Sequence, residues 1–211
     1  MTKTFKYWQW RTIFATMIGY AIFYFVRKNF SFAIPGLTAE YGISKTSFGI
    51  IMTLVTVVYG ASRFLNGYLA DRFNARYHMA IGLLLCAAAN YAFGFGADLS
   101  YLITGESSGP QFVNTMVFIF GLFLLLNNLF QGSGVPPCNR LLTHWIPANE
   151  LATKMSIWNT SHSIGAGLAI IFCGYVVSLN WGAWFDASSI LSQHWRWCFL
   201  LPATIAILGA A

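Results

Sequence analysis

Charged residues make up only 9% of this 211-residue chain, against about 25% in a soluble domain. A soluble fold could not cover its surface with so few. Only six residues are acidic, and all six lie in polar stretches or at the ends of apolar runs. No carboxylate pair, metal cluster or activated nucleophile is therefore available inside the apolar segments, and no enzyme activity is expected. No Cys-x-x-Cys occurs. Cys86, Cys138, Cys173 and Cys198 each fall in or beside a different apolar run, which reads as small core residues rather than a redox or zinc motif. His78, His144 and His194 have no metal-ligand spacing, so neither metal nor cofactor is expected. Low-complexity tracts and short repeats are missing. The first apolar run is too long for a signal peptide and lacks a small-residue cleavage site.

Apolar residues are abundant: 57% of the chain, 18% aromatic, with mean hydropathy +0.60. This composition predicts an all-α integral membrane protein. The formal charge of +6 does not point to nucleic acid, because the cations are scattered rather than clustered with stacking aromatics. The lipid bilayer is the expected partner.

Six spans follow at roughly 19 residues or more each: 12–34, 46–70, 78–97, 112–138, 153–179, and one from about Trp195 that is still apolar at Ala211. The last reads as truncated, so residues 1–211 read as one six-helix bundle whose C-terminal companion is absent. Lys3, Lys6, Arg11, Arg72, Arg76, Arg140 and Lys154 fall on one side. Lys45 and Arg196 fall on the other, with Glu40, Asp98, Glu106 and Asp186. The positive-inside rule then places the N-terminus in the cytoplasm.

Arg27-Lys28 sits inside the first apolar run. A cation there is expensive and needs a compensating partner, and an anionic substrate in a water-filled cavity would supply one. Tyr20, Phe23 and Tyr24 lie on the Arg27 face at i−7, i−4 and i−3. The plainer alternative is an arginine snorkelling to the interface. Lys28 points about 100° away and is read as reaching the headgroups. On the second span, Tyr59 and Asn66 share a face with Arg63. On the fifth, Trp158 and Asn159 precede His162, which could serve an anion or simply a helix–helix hydrogen bond. Gln131 precedes Gly132 and Gly134 and is read as facing the cavity. Pro136-Pro137 should bend or end the fourth span. At about 1.5 Å per residue, Arg27 falls roughly 6 Å outward of its span's midpoint, and Arg63 and His162 roughly 6–8 Å inward of theirs. One small ligand is not expected to touch all three without helix tilt or a change of state.

Gly67-Tyr-Leu-Ala-Asp71-Arg72-Phe-Asn-Ala-Arg76 resembles the loop signature of the major facilitator superfamily. There Gly67 would allow close helix approach, and Asp71 would cap a helix or pair with an arginine. Gly19-Tyr-Ala-Ile-Phe-Tyr-Phe-Val-Arg27-Lys28-Asn-Phe, Tyr59-Gly-Ala-Ser-Arg63-Phe, Phe130-Gln-Gly-Ser-Gly-Val-Pro-Pro-Cys138-Asn-Arg140 and Trp158-Asn-Thr-Ser-His162-Ser-Ile-Gly narrow the likeness. Together they resemble the N-terminal half of the organophosphate:phosphate antiporter family. The resemblance implies exchange of glycerol-3-phosphate or hexose-6-phosphate for inorganic phosphate by alternating access, in a bacterial inner membrane. A C-terminal half would supply a second phosphate-binding arginine. Arg27 matches the family's phosphate-binding arginine. Arg63 stands where the exchangers commonly have lysine, and Val135 where they often have Trp. His162 matches the family histidine. The implied ligand residues are thus Arg27, Arg63, His162, Tyr24, Tyr59, Asn159, Tyr20 and Gln131. Asn74-Ala-Arg-Tyr and Arg140-Leu-Leu-Thr lean towards the family's hexose-phosphate sensor, which signals to a partner kinase. That alternative stays open.

Overall fold

The computed structural model describes residues 3–181, 184–185 and 190–210. Asp186 and Ala211, both used above, lie outside the described residues. Nine α-helices occur among the described residues: α1 (Lys3–Lys28), α2 (Phe30–Tyr41), α3 (Lys45–Arg72), α4 (Ala75–Gly94), α5 (Gly96–Thr104), α6 (Pro110–Gln131), α7 (Val135–Trp145), α8 (Ala148–Ser178) and α9 (His194–Ala210).

The nine form six rods, because three breaks are brief. Asn29 alone separates α1 from α2, Phe95 alone separates α4 from α5, and Gly132–Gly134 separate α6 from α7. Asn29 keeps helical torsions (φ −61°, ψ −32°), so the chain runs on with little change of course. The six rods correspond to the six expected spans, with different ends. The first is helical from Lys3 to Tyr41, well beyond 12–34 on both sides. The third continues through α5 to Thr104. Four segments are long and apolar enough to cross a membrane: α3, α4, Pro110–Trp145 and α8. The rods containing α1 and α9 are not among them; α9 has 17 described residues.

Local chemistry sets the helix ends. Gly42 closes α2 in the left-handed region (φ 66°), its N–H returning to the Thr38 carbonyl, a conformation that costs glycine nothing. Ser44 caps α3 by accepting from the Ser47 N–H. Asn74 caps α4 by accepting from the Arg76 N–H. Pro136-Pro137 lie in the first turn of α7, where missing donors cost no helix bond. The prolines thus start a new helix after the expected break.

Two apolar clusters fill the bundle. Phe93 lies at the centre of one, its ring 4.3 Å from that of Phe120 and 4.0 Å from that of Phe199. The other gathers Phe23, Val26, Cys86, Cys138 and Trp158. Against this, Phe64 is 88% exposed and Leu102 78%. Such apolar exposure suits lipid or a protein partner, not water. α1 and α8 meet backbone to backbone: a Cβ on Gly165 would fall 2.6 Å from the Ala21 carbonyl oxygen. Only glycine fits there.

Charges at the α2, α5 and α9 ends are hydrogen-bonded to the protein. Arg196 is 2% exposed and binds Asp98 through both terminal nitrogens, the Nη2–Oδ1 bond being 3.3 Å. It also donates to the Gly94 carbonyl at 2.7 Å and to Gln193 Oε1. Gln193 Nε2 donates to the Tyr41 hydroxyl at 3.0 Å, and Trp195 Nε1 to Glu40 Oε2 at 2.9 Å. In the sequence Arg196, Asp98 and Glu40 count only as charges on one side of the membrane. Instead they form a network joining three rods, which satisfies the rule that a buried charge must be paired and hydrogen-bonded.

Candidate functional site

Helical periodicity on α1 puts Tyr20, Tyr24 and Arg27 on one stripe. α3 contributes Tyr59 and Arg63, one turn apart. α8 contributes Trp158, Asn159 and His162. The structure joins these stripes through aromatic rings. The Arg27 guanidinium carbon lies 3.7 Å from the ring centre of Tyr59 and 5.8 Å from that of Tyr24. Arg63 approaches the same Tyr59 ring at 5.7 Å. Tyr24 stands 5.9 Å from the His162 ring and meets Tyr20 edge-on at 5.4 Å. Tyr20 stacks on Trp158 at 5.1 Å, 18° from parallel.

Despite their difference in depth, Arg27 and Arg63 come to 3.7 and 5.7 Å from the same Tyr59 ring centre. Tyr59 lies one helical turn, about 5.4 Å, outward of Arg63. Both long side chains reach it from their own levels. A cation over a tyrosine face gains about 0.5–2 kcal/mol, more as water is excluded. This partly offsets the repulsion of two like charges.

Neither arginine has a carboxylate. Among the described residues the ion pairs are Lys154–Glu150 and Arg196–Asp98, both remote from this wall. No hydrogen bond to protein engages either guanidinium among the described residues, leaving each with five donors. Arg27, Tyr24, Tyr59 and His162 are half-buried, while Arg63 and Asn159 are exposed. His162 Nδ1 faces the Asn159 carbonyl of its own helix. A carbonyl only accepts, so Nδ1 is the N–H nitrogen. Nε2, 3.2 Å from Ser163 Oγ, is left to accept when neutral and to donate when protonated. The wall offers two guanidinium forks and an imidazole, groups suited to an anion.

Other expected ligands lie elsewhere. Gln131 is 4% exposed, and its Nε2 donates to the Phe23 carbonyl at 3.0 Å. It braces α1 from behind and does not face the open wall, because the turn at Gly132 ends α6 with this residue inward. Tyr20 is 7% exposed and packs beneath the wall. Lys28 is exposed, as expected. Asn66 Oδ1 accepts from His78 Nε2 at 2.9 Å, away from Arg63.

The loop signature is built differently from its expectation. A Cβ on Gly67 would meet nothing within 4 Å, so no helix approaches closely here. Asp71 is exposed and makes no hydrogen bond or ion pair among the described residues; Asn74 is the cap instead. Arg72 lies 4.3 Å over the Tyr68 ring. Arg76 is exposed. Arg140 does the work at this helix end, donating from Nη1 to the Ala70 carbonyl and, at 2.8 Å, to the Phe73 carbonyl. A cation at a helix C-terminus satisfies orphan carbonyls and the dipole together. In the sequence Arg140 counts only as an inner-side cation and a member of the family-like stretches, with nothing to tie it to the end of α3.

The Major Facilitator Superfamily pattern matches residues 16–211. A probable hexose phosphate transport protein of Chlamydia trachomatis is 39% identical over 206 residues, covering 98% of this chain and 38% of that protein. The glycerol-3-phosphate transporter of Bacillus subtilis is 38% identical over 194 residues, covering 91% and 40%. Among solved structures, the inward open xylose transporter XylE of E. coli superposes with a TM-score of 0.68 at 16% identity, covering 95% of this chain and 47% of the other. The chain spans about two fifths of the length of these curated relatives.

Proposed function

This chain belongs to the major facilitator superfamily, within its organophosphate:phosphate antiporter family, and from that premise we propose that it forms the N-terminal wall of a transporter exchanging an organic phosphate for inorganic phosphate. The observation that carries the reading is the pair Arg27 and Arg63, both at the Tyr59 ring and both without a carboxylate. Two unpaired cations on a membrane wall call for a polyanion of small size. Phosphate offers several oxygens to planar guanidinium forks.

Arg27 is the main anchor. Arg63 adds positive potential and a second fork. His162 Nε2 faces the same wall, where an imidazole can hydrogen-bond a phosphate oxygen. Tyr24 and Tyr59 hold the cations, and Asn159 lines the exposed rim. A C-terminal half closes the site, and rocking of the halves exposes it alternately to each side. We read the N-terminus as cytoplasmic because the loop cations gather at that end, and the membrane as a bacterial inner membrane by likeness to the bacterial relatives.

The experiment is exchange in proteoliposomes containing the full-length protein. Vesicles loaded with labelled inorganic phosphate should release it when glycerol-3-phosphate or glucose-6-phosphate is added outside. Binding of these esters without release would replace the transporter with a sensor. Failure to bind either ester or phosphate would remove the phosphate reading altogether.

A further inference from the structure

Four buried primary amides surround one turn of α1. Gln131 Nε2 donates to the Phe23 carbonyl at 3.0 Å. Asn127 Nδ2 and Asn90 Nδ2 both donate to the Val26 carbonyl, at 2.8 and 3.0 Å. Asn29 Nδ2 donates to Asn90 Oδ1 at 2.6 Å and to the Cys198 carbonyl at 2.9 Å. All four side chains belong to residues 4% exposed or less. Burying a primary amide is costly unless it is hydrogen-bonded. Such a cluster on one turn therefore calls for an explanation beyond packing.

That turn carries Arg27. Val26 is among the last four residues of α1, whose carbonyls lack partners within their own helix. α4 and α6 supply those partners, and α9 ties down Asn29 at the break. Phe23 and Val26 are fully buried; Phe23, expected on the Arg27 face, instead packs inward beside it, while Arg27 stays half-buried at the open wall. A purely apolar contact would let α1 slide or rotate by a few degrees at little cost. Directional bonds from two helices to two carbonyls, one turn apart, fix both rotation and depth.

We infer that Asn127, Asn90 and Gln131 are positioning residues for Arg27, clamping the α1 backbone so that its guanidinium meets phosphate with both prongs of the fork. The inference rests on the proposed phosphate site and adds residues that touch no ligand.

The test uses the full-length protein and titrates inorganic phosphate and glucose-6-phosphate by calorimetry, normalised to folded protein. Asn127→Leu should weaken both ligands by a common factor of about ten, the value of one charge-assisted hydrogen bond. Asn128→Leu is the control. Asn128 is also 4% exposed, but its Nδ2 bonds the Leu124 carbonyl of its own helix at 2.9 Å, and its loss should leave affinity within about twofold. In an Arg27→Lys background, which has no fork to aim, Asn127→Leu should add no further loss. Gln131→Met, nearly isosteric, carries the same expectation if Asn127→Leu does not fold. Wild-type affinity in the folded clamp variants, or equal losses in both Arg27 backgrounds, overturns the clamp. A wild-type protein that binds neither ligand overturns the phosphate site and the clamp with it.

Discussion

The guanidinium of Arg27 lies 3.7 Å from the centre of the Tyr59 ring, so the cation of one helix rests on the aromatic face of another. This contact joins α1 to α3 at the wall and brings Arg63 into the same neighbourhood.

Arg27→Lys in the full-length protein keeps the charge but replaces a bidentate fork by a point charge. Losing one charge-assisted bond, worth about 1.5–3 kcal/mol, should weaken phosphate-ester binding roughly tenfold to a hundredfold. Lys28→Ala should change it far less. Titration of glycerol-3-phosphate and glucose-6-phosphate into both variants, inserted at wild-type levels, decides the matter. The reverse ranking would mean that the wrong cation has been assigned.

Tyr59→Phe keeps the ring beneath both guanidiniums, and Tyr59→Leu removes it. With cation–π contacts worth about 0.5–2 kcal/mol, the leucine variant should bind phosphate several-fold more weakly than the phenylalanine variant. Equal affinities for the two would show that the ring does not hold the cations.

Asp98→Ala strands Arg196 in a buried position. Removing one partner of a buried pair costs about 3–5 kcal/mol, and the partial exposure of Asp98 sets the low end here. A marked fall in melting temperature is expected, with phosphate affinity per folded molecule unchanged. Replacing both residues, Asp98→Leu with Arg196→Met, should recover much of the loss. A double variant no more stable than the single one would contradict the pairing argument.

Orientation can be read by labelling. Single cysteines at positions 74 and 106, each in a Cys-free background, should react differently with a membrane-impermeant reagent. Position 106 should label from outside and position 74 only after permeabilisation. The opposite pattern inverts the topology.

The rods were legible because apolar length and flanking charge are written into the chain. The Tyr24–Arg27 and Tyr59–Arg63 stripes were legible because i±3 and i±4 spacing fixes a face whatever the surroundings. The break at Asn29 was not, since neither glycine nor proline stands there. The amides that define it come from α4 and α6. Gln131 was misplaced for the same reason: its orientation depends on where the turn at Gly132 stops α6, which no periodicity states. The pairing of Arg196 with Asp98 was not legible, because contact across 98 positions leaves no local pattern.

The Gly165–Ala21 contact leaves no slack between α1 and α8, whereas α3 packs chiefly on α6 and α7. In the proposed site, Arg27 and His162 would then form one jaw of a caliper, with Tyr59 and Arg63 on the other. Adjustment to ligands of different girth would fall to α3, and substitutions beneath that helix would retune the gauge while leaving Arg27 and His162 in place.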